Sequence, residues 1–138
     1  MLSRSVITVS LMIVFAAQAQ QSPSAPQPDG SQPTIGYGSV QEALAALRSK
    51  PGIEELERDG WVLFQDRESE KSMTLWSFAP PTYTAYPSAV KRTVFEREGT
   101  VQIEMKVLCE ATKEACDQLV REFQELTDRM KQEFNSAR

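Results

Sequence analysis

The fold is decided by the stretch VQIEMKV, residues 101–107, in which apolar and polar side chains alternate without a break. Such alternation is typical of a strand with one buried face and one solvated face. From about Thr112 the period changes to that of an amphipathic helix. The apolar stripe of this helix consists of Cys116, Leu119, Val120, Phe123, Met130 and Phe134. The C-terminal part therefore predicts a half-buried strand followed by a long helix.

Strand and turn signals extend this pattern towards the N-terminus. Asp59-Gly60 is a residue pair that tight hairpin turns prefer, and Glu98-Gly99 turns the chain in a similar way. Because consecutive hairpins pair in chain order, we expect an antiparallel meander of four or five strands. The predicted strands span residues 53–58, 61–64, 73–78, 90–96 and 101–107.

A short helix precedes the meander. Ser39-Val40-Gln41-Glu42 has the form of a capping box, in which the serine hydroxyl and the glutamate each satisfy a free amide. Pro51-Gly52 ends the helix. Two helices can cover one face of the sheet. The sequence thus predicts an α+β fold, a two-layer sandwich with a short N-terminal helix and a long C-terminal helix.

The first nineteen residues have the form of a secretory signal peptide. Arg4 gives a basic start, residues 6–15 form an apolar run, and Ala17-Gln18-Ala19 fits a signal peptidase site. A membrane anchor is disfavoured because a spanning helix needs roughly 20 apolar residues. A lipid anchor would need a cysteine just after the cleavage site, whereas the first cysteine is Cys109. We expect cleavage near Ala19 and release into the periplasm or the medium, with no transmembrane segment left.

Residues 20–36 read as a disordered linker rich in proline, serine and glutamine, and residues 37–138 as a single domain. The linker is either a spacer that holds the domain away from another surface or an unconstrained terminus.

Composition narrows the range of functions. Removal of Arg4 with the signal peptide leaves 14 Lys and Arg against 19 Asp and Glu, a net charge of −5. This charge disfavours nucleic acid as a partner. The chain has no histidine, which is the commonest general base and the commonest metal ligand. We therefore expect no catalytic residue, no metal and no cofactor.

The two cysteines are predicted to form a structural disulfide. Cys109 has the inward parity of the alternating strand, and Cys116 lies near the start of the helical stripe. Both side chains thus point into one strand–helix junction, and an exported compartment is oxidising. A reactive thiol is disfavoured because the acidic neighbours Glu110, Glu114 and Asp117 would raise a thiol pKa.

The most unusual segment is WSFAPPTYTAYP, residues 76–87, with four aromatic residues and three prolines. A stiff aromatic loop loses little entropy on binding, and the basic pair Lys91-Arg92 follows it after three residues. The alternative is that the aromatic side chains pack into the domain itself. The candidate binding surface consists of Trp76, Phe78, Tyr83, Tyr86, Lys91 and Arg92.

Several segments of the domain resemble small exported proteins of Gram-negative bacteria, a family whose activity is uncharacterised. Some of these proteins carry a J-domain co-chaperone label, but a J-domain needs a His-Pro-Asp turn and this chain has no histidine. The resemblance implies that the protein is exported, and it assigns a function to none of its residues. It rests on residues 36–44, Asp59-Gly60-Trp61, Trp76-Ser77-Phe78, Ala85-Tyr86-Pro87, Cys109-Glu110-Ala111 and Ala115-Cys116.

These observations favour a non-catalytic binding or accessory protein of the cell envelope, with an envelope protein as its partner. One alternative is an inhibitor or immunity-type protein that blocks an exported enzyme. Another is a small enzyme that uses carboxylates such as Glu54, Glu55 and Glu57, although these residues also suit a solvated edge strand. The oligomeric state is left open.

Overall fold

The computed structural model describes residues 35–137. The predicted signal peptide, residues 1–19, lies outside the described residues, as does the predicted linker except for Ile35 and Gly36. The elements, in chain order, are α1 (Val40–Arg48), β1 (Glu54–Arg58), β2 (Trp61–Ser69), β3 (Ser72–Phe78), β4 (Ser88–Arg97), β5 (Thr100–Cys109) and α2 (Lys113–Ser136).

The five strands form one antiparallel sheet in the order β1-β2-β3-β4-β5. The predicted α+β class, the meander and the two helices of unequal length are confirmed. The turn between β1 and β2 has positive φ at both central residues, 51° at Asp59 and 81° at Gly60, which is the geometry of a type I′ turn. Glu98 and Gly99 repeat this geometry between β4 and β5, with φ of 52° and 75°.

The two faces of the sheet are covered by different helices. Neighbouring residues of β4 point to opposite faces, and both Ala89 and Val90 have no exposed surface. Ala89 belongs to a core with Val40, Ala43 and Leu47 of α1, whereas Val90 packs with Leu119 of α2. We call these faces the α1 face and the α2 face.

This arrangement corrects the expectation that both helices cover one face. The physical reason is the composition of β3, which is apolar at both parities. Trp76 and Phe78 lie on the α1 face, and Met73 and Leu75 lie on the α2 face. Each face must therefore bury apolar surface, and each receives a helix.

The start of the domain is tied to α1. Ser39 caps the helix by accepting a hydrogen bond from the Glu42 amide at 3.1 Å, as predicted. The Glu42 carboxylate reaches the amide of Gly38, at 3.0 Å, rather than that of Ser39. Ile35 is only 2% exposed and belongs to the α1-face core, so ordered packing begins inside the predicted linker.

Helix α2 is attached to β5 near both of its ends. At its start, Cys109 and Cys116 form the predicted disulfide, with their Cα atoms 5.7 Å apart. Near its end, the Asn135 side chain pairs with the backbone of Val101. Its Oδ1 accepts from the Val101 amide at 3.0 Å, and its Nδ2 donates to the Val101 carbonyl at 3.1 Å. These two attachments hold α2 along β5, at one side of the sheet.

None of the helices within residues 35–137 combines the length and the apolar character that a membrane crossing requires.

Candidate functional site

The position of α2 leaves a groove on the α2 face between the helix and strands β1–β3. Its volume is about 510 Å³. We call it the α2 groove. It is lined by Arg58, Asp59, Trp61, Leu63, Ser77, Tyr83, Arg92, Glu122, Phe123, Leu126 and Arg129.

One end of the groove is aromatic. The ring centroid of Trp61 lies 5.0 Å from that of Tyr83 and 5.5 Å from that of Phe123. Trp61 is in this place because it follows the Asp59-Gly60 turn at the parity of the α2 face. Two consecutive turns in the β3–β4 loop bring Tyr83 against Trp61. In the first turn the Tyr83 amide donates to the Pro80 carbonyl, and in the second the Tyr86 amide donates to the Tyr83 carbonyl.

A hydrogen bond joins the loop to α2 across this end. The Tyr83 hydroxyl donates to Oε2 of Glu122 at 2.6 Å. Burial, followed by this hydrogen bond, raises the pKa of Tyr83 to about 12. The same hydrogen bond and a second one from Gln118 lower the pKa of Glu122 below its usual value. Glu122 is therefore already engaged within the protein.

A buried guanidinium lies beneath the groove. Arg92 is 7% exposed, and its centre lies 5.4 Å from the centroid of the Phe123 ring. Its Nη1 donates to the Met130 sulfur at 3.1 Å, and its Nε is buried without a hydrogen-bond partner. Burial lowers the pKa of Arg92 below its usual value. Among residues 35–137, no carboxylate forms an ion pair with this group.

The rim of the groove carries charges of both signs. Arg58 and Asp59 lie at the β1–β2 turn, and Glu122 and Arg129 lie on α2. Aromatic and aliphatic side chains thus form the floor, and polar side chains surround it. Protein interfaces commonly combine an apolar centre with a polar rim in this way.

The carboxylates of β1 do not converge, because Glu54 points to the α2 face whereas Glu55 and Glu57 point to the α1 face. Glu55 is also paired with Arg48 at 3.0 Å. Within residues 35–137, no group of three or more histidine, cysteine, aspartate or glutamate residues could hold a metal ion.

The six residues of the predicted aromatic surface do not form one surface, which corrects that prediction. Trp76 and Phe78 are 4% and 3% exposed and stack on each other in the α1-face core, with ring centroids 6.3 Å apart. They are strand residues of β3 at the inward parity, so they are not available to a partner. Tyr86 is 46% exposed and lies beside α1, in a different depression from the α2 groove.

The two basic residues that follow the aromatic segment also separate. Lys91 and Arg92 are neighbours on β4, so they point to opposite faces of the sheet. The Lys91 ammonium lies over the Trp76 ring on the α1 face, at 5.1 Å from its centroid. Arg92 reaches the α2 groove, where Tyr83 also lies. Of the six predicted residues, only Tyr83 and Arg92 thus line the α2 groove.

Sequence reasoning missed most of the groove, including Trp61, Leu63 and the α2 residues beside them. One signal was available. On β4, Arg92 lies between Val90 and Val94 at the same parity, so an arginine interrupts a row of apolar side chains on one face of the strand.

No family model matches the chain, and no curated protein or solved structure matches it either. The function is therefore argued from the geometry of the α2 groove.

Proposed function

We propose that this chain is an exported, non-catalytic binding protein of the cell envelope that holds a segment of a partner protein in the α2 groove. The observation that carries the proposal is the apolar half of the α2 face that neither α1 nor α2 covers among the described residues. Leu56 is 38% exposed there, and Met73, Leu63 and Leu75 are only half-buried. Apolar surface left open beside a polar rim marks a site of interaction.

The dimensions of the open half suit a helix. Neighbouring strands lie about 4.8 Å apart, so five strands span roughly 19 Å. A helix with its side chains is about 10 Å wide, so α2 on β5 covers one half of this width. An amphipathic helix placed beside α2 would cover the other half, in the manner of helix-in-groove recognition.

The length of the open half supports the same occupant. A second depression, of about 250 Å³, lies on the α2 face and is lined by Met73, Val94 and Phe134, among others. Along α2, the distance from Glu122 in the first depression to Phe134 in the second is about 18 Å, at 1.5 Å per residue. A segment of about three helical turns matches this length.

The residue types in the groove favour a protein partner. Tryptophan, tyrosine and arginine are the residues that most often dominate the energy of protein interfaces. Trp61, Tyr83 and Arg92 meet in the α2 groove, and Arg58 and Arg129 stand at its rim. Export is supported by the form of residues 1–19 and by the disulfide, which suits an oxidising compartment.

Photocrosslinking in living cells tests the proposal. A photoreactive phenylalanine analogue replaces Leu63 on the floor of the groove, in the full chain with its N-terminal segment. The matched control places the same analogue at Lys106, a half-buried residue on the α1 face of the same sheet. We expect a discrete protein adduct from position 63 and none from position 106.

Two results would contradict the proposal. One is the absence of any adduct from position 63 in a folded, exported and oxidised protein. The other is the same set of adducts from both positions, which would indicate non-specific proximity. The identity of the adduct separates the accessory role from the inhibitor role, because an inhibitor would be joined to an exported enzyme that it blocks one-to-one.

A further inference from the structure

The buried guanidinium of Arg92 forms no ion pair with any carboxylate among residues 35–137. The residue is 7% exposed, its Nη1 donates to the sulfur of Met130, and its guanidinium lies over the face of the Phe123 ring. A thioether is a weak acceptor. The Nε atom is buried and has no hydrogen-bond partner in the part of the chain that the structure describes. Buried charges in proteins are normally paired or fully hydrogen-bonded, so this arrangement needs an explanation.

The stability of the fold does not supply the explanation. On the sheet, Arg92 stands between Leu75 of β3 and Met105 of β5, so its neighbours on the α2 face are apolar. An apolar residue of similar length would fill the same place without an unpaired charge. The arginine is therefore better explained by a group that arrives from outside the domain.

The other charges around the groove do not neutralise Arg92. Asp59 and Glu122 are the acidic residues that line it, and Glu122 is engaged by Tyr83 and Gln118. Neither forms an ion pair with Arg92. Arg58 and Arg129 add two positive charges at the rim. The lining of the groove thus holds three arginines against two carboxylates, a small excess of positive charge beside apolar side chains.

We infer that the partner segment presents a carboxylate to Arg92, from an aspartate or glutamate side chain on its otherwise apolar face. This inference rests on the proposed function and names the chemistry that the groove selects. A guanidinium offers Nε and Nη donors in a plane that matches the two oxygens of a carboxylate. A single flat carboxylate is also small enough to enter between apolar walls.

Met130 holds one of the guanidinium donors that a carboxylate would use. Its sulfur occupies the place of an acceptor at Nη1 of Arg92, at 3.1 Å. The methionine side chain is unbranched and adapts readily to a new neighbour. When a carboxylate arrives, Met130 turns aside and the oxygen atoms take over the donors of the guanidinium.

A titration with octanoate and octanamide tests the inference on the oxidised chain purified from the periplasm. Both probes have the same apolar tail, and only octanoate carries the charge. Binding is followed by NMR through the indole signal of Trp61 and the Nε–H signal of Arg92. We expect octanoate to bind at least about tenfold more tightly than octanamide, since a buried charge-assisted pair has that strength.

Two variants decide the source of the preference. In Arg92→Met, we expect the preference for octanoate to be lost while octanamide still binds. The control is Arg121→Met, a change on the exposed side of α2, in which we expect the preference to be unchanged. Equal binding of both probes, no binding of either, or a preference that survives in Arg92→Met would overturn the inference. The photocrosslink from position 63 tests the proposed function separately from these outcomes.

The crosslink also tests the class of partner. We expect the protein adduct from position 63 to weaken at least about tenfold in Arg92→Met and to persist in Arg121→Met. An adduct that proves to be a lipid carboxylate, recognised by its small mass, would overturn the assignment to a polypeptide.

Discussion

Replacing Arg92 by methionine is expected to make the domain more stable, although the same change removes the group that we assign to ligand binding. The side chain of methionine is long enough to fill the space beside Met130 and Phe123. It carries no charge to desolvate and no donor to satisfy, whereas the Nε atom of Arg92 is buried without a partner. A residue kept for binding rather than for folding has this signature.

The size of the effect follows from two opposing contributions. A buried donor without a partner costs about 1–3 kcal/mol, and this cost disappears in the variant. The contact between the Arg92 guanidinium and the Phe123 ring, at 5.4 Å, stabilises the domain by about 0.5–2 kcal/mol and is lost. The expected net result is a gain of about 1 kcal/mol in the free energy of unfolding, or roughly 4 °C in Tm.

Urea unfolding monitored by circular dichroism measures this difference on the oxidised protein. Arg121→Met serves as the control, since this arginine lies on the exposed side of α2 and its removal should change the free energy of unfolding by less than about 0.5 kcal/mol. A loss of stability of more than about 1 kcal/mol in Arg92→Met would refute the reasoning. Arg92 would then be a structural residue that holds α2 to the sheet.

Three further predictions concern the elements that position the groove. Replacing Cys109 and Cys116 together by serine should lower the free energy of unfolding by roughly 2–3 kcal/mol in urea, and an unchanged midpoint would contradict the role given to the disulfide. Asn135→Ala removes two hydrogen bonds to β5 and should cost about 1–2 kcal/mol, with faster amide exchange at the β5 edge; unchanged exchange would contradict it. The Tyr83–Glu122 hydrogen bond should stabilise the domain below pH 10 and be lost as the pH rises towards about 12, where Tyr83 ionises. At acid pH its contribution should be lost as Glu122, whose pKa is lowered, becomes protonated, and a Tyr83→Phe variant with an unchanged pH profile of stability would contradict both statements.

Much of the fold could be predicted because its signals are local. Asp59 and Gly60 adopt the positive φ values that both residue types tolerate, and Gly99 gives the same freedom to the second hairpin turn. The alternation over residues 101–107 has a period that only a strand satisfies. The disulfide could be predicted because the parity of the strand and the start of the helix place both cysteines in one short junction.

The placement of the helices could not be predicted from these signals. A strand that is apolar at both parities, such as β3, indicates that both faces are buried but does not say which helix covers which face. That choice depends on long-range contacts. Asn135 forms hydrogen bonds with the Val101 backbone across a separation of 34 residues, and no local sequence pattern predicts this contact.

The candidate site was mostly missed for a related reason. The candidate surface spans the end of a predicted strand and the loop after it, and the structure turns the strand residues Trp76 and Phe78 inward, as in the packing alternative. Proximity along the chain also does not give proximity in space for Lys91 and Arg92, because neighbouring residues of a strand point to opposite faces. The groove exists only because α2 is held at β5, so it follows from the tertiary structure.

The measurement that tests the central claim most directly is the comparison of adducts from Leu63 and from Lys106 in living cells. If the α2 groove holds a partner segment, position 63 is joined to one discrete protein and position 106, on the opposite face of the sheet, is not. If position 63 gives no adduct in an exported, oxidised and folded protein, the groove is not a protein-binding site.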